Sequence, residues 1–200
     1  MSRTGNMRAA WLVFPLVLAS TAPGQAHLVN SGFGPFYDGS VHPLMSPEDL
    51  LPVAAVTMLA GLSGARCGRW LLAVLPAAWM IGMAAGWAFV LPVVPLWVSA
   101  GTTAVAGFAL AADARLPLAA TVGFAATVGL LHGVGNGTEL AVKPGGFAIA
   151  GTACCLAAIV SLLVGQVTSL RARWARLAVR VSGSWIAAVG ILMLGWSTRA

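Results

Sequence analysis

The sequence predicts an all-α integral membrane protein: a six-transmembrane-helix bundle after a cleaved signal peptide, with both termini outside. Three observations predict it. The first is composition, since the 200 residues are 59% hydrophobic and 8% charged, whereas soluble domains carry about 25% charged residues. The second is a succession of apolar runs, each about 16–21 residues long and so close to the length a helix needs to cross a bilayer. The third is the placement of arginine, which falls in the short breaks between those runs.

Residues 1–26 read as a signal peptide. Arg3 and Arg8 form a basic leader, and AAWLVFPLVLAS is an apolar stretch too short to cross a hydrocarbon core of about 30 Å. Gly24 and Ala26 suit cleavage after Ala26, which would leave His27 as a free N-terminus. An uncleaved first span is the alternative. Residues 27–47 form a periplasmic N-terminal segment. Its Gly and Pro content between Asn30 and Pro47 predicts loop or turn rather than helix.

Residues 48–200 form the six-helix domain. Ser46 is placed to cap the first helix, Pro47 suits its first position, and Glu48 and Asp49 lie where the helix dipole favours acids. The predicted helices are Glu48–Leu62, Trp70–Val90, Val94–Ala112, Leu116–Leu131, Phe147–Val167 and Leu177–Trp196. Pro76 and Pro92 are expected to kink or end the second of them. The fourth is short and runs into a glycine-rich stretch, so its backbone is expected to unwind there. Short connections make consecutive helices antiparallel.

Charge sets the orientation. With the N-terminus outside, the inner breaks hold Arg66, Arg69, Arg115, Arg171, Arg173, Arg176 and Arg180, and the outer side keeps Lys143 and Arg199. That bias agrees with the positive-inside rule. The net charge of +6 therefore reflects topology, and no basic stripe with interleaved aromatics supports nucleic-acid binding. Gly82, Gly86, Gly129, Gly133 and Gly137 stand at helix-packing spacing. Trp70, Trp97, Trp174 and Trp196 lie near run ends, where they anchor at the interface. Cys67, Cys154 and Cys155 form no CxxC pair, so neither a zinc nor a disulfide framework is indicated.

The polar residues are concentrated. The stretch 27–49 holds two of three histidines (His27, His42) and three of five acids (Asp38, Glu48, Asp49). A second cluster, LLHGVGNGTEL, carries His132, Asn136 and Glu139. The predicted topology puts both clusters on the outer side, so imidazole and carboxylate groups from two segments converge. Glu48 and Asp49 point about 100° apart, so only one can lead a single site. Asp49 shares a face with Val53, toward the bundle.

A thiolate-free set of this kind suits nickel, cobalt or zinc, and Met45 beside His42 keeps copper open. The metal set is His42, Glu48, Asp49, His132 and Glu139, with His27, Asp38 and Asn136 as additional candidates. The plainer alternative makes Glu48 and Asp49 dipole partners of their helix. His132, an ionisable residue at membrane depth, is functional by default.

The chain resembles the HupE/UreJ family of bacterial membrane proteins. The resemblance rests on a signal ending in AH, then GFGPFYDG, HPLMSPEDLLPV and LHGVGNGTEL, and it spans nearly the whole mature chain. It implies six helices in the bacterial inner membrane and a nickel or cobalt permease associated with hydrogenase or urease maturation proteins. Two departures stand out: Ser46 replaces a family glycine, and Glu48-Asp49 replaces Asp-His. The site is accordingly richer in oxygen, which suits a different ion or weaker binding.

The leading function is a divalent-metal permease, with the lipid bilayer and the ion as its partners. No P-loop is present, so transport would be driven by gradients or a partner. Polar groups for the middle of the membrane are few: Thr57, Thr102, Thr103, Thr121, Thr127, Thr152 and Ser161. That scarcity favours the alternative, a non-transporting metal-binding or assembly accessory protein. An enzyme is not expected. Gly61-Leu62-Ser63-Gly64 matches the GxSG of rhomboid-type proteases, but Ser63 falls at the inner end of its helix and His132 at the outer end of another.

Overall fold

A computed structural model describes residues 32–89, 91–92, 94–140 and 146–199, without the side chains of Glu139 and Leu140. The signal segment, its cleavage after Ala26, His27 and Lys143 lie outside the described residues. Those residues form seven helices and no strand: α1 (Pro35–Met45), α2 (Pro47–Leu62), α3 (Ala65–Phe89), α4 (Leu96–Ala111), α5 (Leu118–Leu140), α6 (Gly146–Ser169) and α7 (Arg173–Ser197). Four of them, α3, α5, α6 and α7, are long and apolar enough to cross a membrane, and α4 is a shorter apolar helix.

α2 is the central helix and touches each of the other six. Between Pro52 and Leu62 only Ala54 and Met58 escape burial. The surroundings invert those of a soluble protein. Large apolar side chains such as Ile81, Phe108, Leu162 and Leu192 face outward, while His42, Asp49, Thr57, Thr103, Thr121, His132 and Asn136 are buried. An apolar exterior of this extent suits lipid. Trp70, Trp97, Trp174 and Trp196 are all exposed, as interfacial anchors should be.

Glycine contacts define three close helix pairs. α3 and α5 run parallel: a Cβ at Gly82 would come 2.5 Å from Leu130 O, and one at Gly86 2.5 Å from Val134 O. Gly133 and Gly137 press in return on the carbonyls of Trp79 and Met83. α4 and α7 pack antiparallel through Gly107, Gly183 and Gly190, and α1 packs on α6 through Gly39 and Gly151. Helices can approach this closely only where side chains are absent.

Two expectations are corrected. The stretch from Asn30 to Pro47 is not loop throughout, because residues 35–45 form α1. Pro35 starts the helix, where its missing N–H costs nothing. Pro43 lies inside and cannot bond back to Gly39, and the freed Gly39 carbonyl accepts the Thr152 hydroxyl at 3.0 Å instead. Docking on α6 thus compensates the breaker. The second correction concerns α5, which does not unwind at His132 but continues to Leu140. Gly129, Gly133 and Gly137 serve close approach to α3 and not a change of backbone course. Pro76 likewise lies within α3 without ending it.

Alternation of direction gathers the starts of α2, α4 and α6 with the ends of α3, α5 and α7. Arg66, Arg69, Arg115, Arg171, Arg173 and Arg176 lie at the opposite end. There Arg176 Nη2 donates to Leu62 O at 3.2 Å and Arg180 Nε donates to Ala111 O at 3.1 Å. Each guanidinium meets a carbonyl at a helix C-terminus, where positive charge is favoured. A recess of about 270 Å³ at this end is lined by Leu62, Ser63, Asp113, Arg115, Leu116 and Arg176.

Candidate metal centre

The first turn of α2 sets the site. Ser46 occupies the N-cap position with an extended backbone, and its carbonyl accepts the amides of Asp49 and Leu50 at 3.0 and 2.9 Å. Its hydroxyl makes no capping bond. Two adjacent carboxylates follow and diverge, as helix geometry requires. Asp49 is 4% exposed and turns into the bundle with Val53, while Glu48 is half-buried and lines a cavity.

α5 supplies the partners. His132 Nδ1 lies 3.0 Å from Asp49 Oδ1, and Asn136 Nδ2 donates to Asp49 Oδ2 at 2.9 Å and to His132 O at 2.9 Å. His42, at the end of α1, brings Nε2 to 3.7 Å from Asp49 Oδ2. One buried carboxylate therefore collects an imidazole on one oxygen and an amide and a second imidazole on the other. A buried carboxylate is retained only where it is paired and hydrogen-bonded in this way.

The His132 ring is fixed on three sides. Opposite a carboxylate, Nδ1 donates its hydrogen. Nε2 meets the Thr102 hydroxyl at 2.9 Å, and Thr102 also reaches Ser99 O at 2.8 Å. Trp79 stacks on the ring, with centroids 5.7 Å apart and planes 22° apart. Trp79 is itself fully buried and is gripped by Gly133 of α5.

The cavity beside this network holds about 230 Å³ and is lined by Glu48, Asp49, Val94, Leu96, Ser99, Leu131, His132, Gly135 and Asn136. The convergence expected from the sequence is present for His42, Asp49, His132 and Asn136, with Glu48 on the cavity wall. Asp38 stands in the first turn of α1 and is not among the lining residues. Glu139 belongs to the last turn of α5, and its side chain is outside the described part. Among the described residues, no group of three or more His, Cys, Asp or Glu side chains is arranged to hold a metal ion.

Three contributors were not singled out by sequence. Ser99 and Trp79 carried no signal, and Thr102 stood only among the hydroxyls available at depth. Their common mark is position on helices that contact α2 or α5, which a linear reading does not reveal.

A protein-family model described as HupE / UreJ protein matches residues 15–193. The chain belongs to the HupE/UreJ family. No curated protein and no solved structure matches it. The HupE/UreJ family is membrane-associated and is linked to nickel or cobalt uptake or to accessory roles. In this HupE/UreJ chain the paired residues come from the two segments that carried the resemblance, HPLMSPED and LHGVGNGTEL.

Proposed function

We propose that this protein is an inner-membrane permease for a divalent transition-metal ion, nickel or cobalt favoured, that supplies metalloenzyme maturation. The observation that carries the reading is the buried Asp49 carboxylate held between His42 of α1 and His132 and Asn136 of α5, beside a cavity that Glu48 also lines. Two carboxylates give the cation its electrostatic attraction. The imidazoles and amide around Asp49 keep that charge buried.

The proposed topology has six spans, α2 to α7, after a signal peptide cleaved at Ala26, with the metal site outside. The arginine-rich end of the bundle supports it. Reporter fusions after Arg66, Arg115 and Arg173 should read cytoplasmic, and those after Pro95, Lys143 and Ala200 external. N-terminal sequencing of membrane-extracted protein should begin at His27. An inverted inner loop would break this topology, and a retained Met1 the cleavage.

The second reading is a non-transporting metal-binding or assembly accessory protein. The packing between the site and the opposite end favours it, because Val53, Val56, Leu59 and Ala60 are at most 1% exposed. Metal accumulation in cells with and without the protein, set against binding to purified protein, separates the two. Accumulation of nickel or cobalt supports the permease; binding without accumulation supports the accessory role.

The proposal excludes an enzyme. Ser63, just past the end of α2, follows Asp49, the partner of His132, by 14 positions, about 21 Å along a helix, against the roughly 3 Å that nucleophile and base need. Its hydroxyl donates to Leu59 O at 2.9 Å. Ser63→Ala should leave metal accumulation unchanged.

A further inference from the structure

We infer that the ion in the cavity is held by oxygen atoms, with Ser99 Oγ and Asn136 Oδ1 as direct ligands beside Glu48 and Asp49, and that His132 positions Asp49 without ligating the ion. The inference rests on the metal-permease reading and names the donor chemistry of its site.

Two buried oxygens at the cavity have unused bonding capacity. Ser99 and Asn136 both line the cavity, from α4 and α5. Ser99 Oγ and Asn136 Oδ1 are buried oxygens with no hydrogen-bond partner among the described residues. Asn136 is 7% exposed, and a buried amide oxygen left unpaired costs about 1–3 kcal/mol. Its orientation is dictated by its neighbours. Nδ2 donates to Asp49 Oδ2 and His132 O, and a flipped amide would set oxygen against two acceptors.

His132, the imidazole that lines the cavity, is in the opposite condition, and His42 is not among the lining residues. His132 Nδ1 is held by Asp49, and Nε2 is engaged by Thr102 in whichever direction that hydrogen bond runs. Ligation through either nitrogen would break an existing bond and disturb the stack on Trp79. The oxygens need no such exchange.

Oxygen donors suit hard cations, whereas imidazole suits nickel, copper and zinc. The ligand class is therefore a hard divalent ion, and Mn²⁺ is the first-row member that matches. Ni²⁺ and Co²⁺ still bind, through oxygen, with their usual advantage reduced: Mn²⁺ should bind within about tenfold of Co²⁺.

The test uses the full chain purified in detergent. Mn²⁺ binding is read by loss of the free-ion electron paramagnetic resonance signal, and Co²⁺ ligation by X-ray absorption on the unmodified protein. Bound Co²⁺ should show an oxygen shell without the outer-shell scattering of imidazole. Ser99→Ala should weaken Mn²⁺ binding at least fivefold, and Ser99→Cys should move the preference from Mn²⁺ toward Cd²⁺ and give bound Co²⁺ a thiolate charge-transfer band. A merely structural serine would produce no such band. Imidazole scattering from Co²⁺, or an unchanged Mn²⁺ to Cd²⁺ ratio in folded Ser99→Cys, would overturn the inference while leaving the permease reading intact. No binding of any of these ions to the unmodified protein would overturn both.

Discussion

Replacing Asp49 with asparagine should reduce metal accumulation at least tenfold while protein remains in the membrane. The carboxylate is the point at which His42, His132 and Asn136 meet, and Asn has nearly its shape without its charge. Asp49→Ala should do more. It strips partners from buried polar groups, and each one left unsatisfied costs about 1–3 kcal/mol, a large share of the stability of an ordinary domain. Accumulation should vanish and the melting temperature in detergent should fall.

The same geometry predicts non-additivity. His42→Ala and His132→Ala should each lose most accumulation, and the double variant should lose little more, because both act through Asp49. Glu139→Gln should resemble the single variants. Additive losses at equal protein levels would mean that α1 and α5 serve separate sites.

A large structural effect should come from Gly133→Val. At that position a Cβ would collide with the Trp79 carbonyl, and both partners are backbone, so neither can rotate away. Overpacking of this kind costs about 1–3 kcal/mol or more. Here it also forces α5 from α3 and spoils the Trp79–His132 stack. Folded protein should be nearly absent from the membrane. Gly123→Ala is the contrast: its Cβ would meet nothing within 4 Å, so stability should hold or rise by about 0.5–1 kcal/mol. Thermal unfolding in detergent measures both. Equal melting temperatures would remove the steric account of the α3–α5 interface.

The apolar runs and their order were legible because lipid imposes length and hydropathy on each helix separately. Helix boundaries were less so. α5 exceeds its expected end by nine residues, from Leu131 to Leu140, because local propensity treats Gly133, Gly135 and Gly137 as breakers when contact with α3 makes two of them packing surfaces. The α1 sequence reads as loop for the same reason, since the bond from Thr152 to Gly39 joins positions 113 apart. At the site, Asp49 and His132 stood out because ionisable residues are rare here. Ser99 and Thr102 did not, because hydroxyls occur throughout the helices and only the α4–α5 approach distinguishes these two.

The shortness of α2 has a consequence for the energy of crossing. Its 16 residues extend about 24 Å, less than the hydrocarbon core of about 30 Å. A lipid-facing helix this short would thin the bilayer or tilt its neighbours. Enclosed by six others, α2 imposes no such mismatch on lipid. The shortfall is taken up within the protein, by the cavity beside its first turn and the recess beside its last. Solvent-filled dents at both ends would thin the low-dielectric slab along this axis, so the self-energy of a charge passing there would peak over a shorter distance.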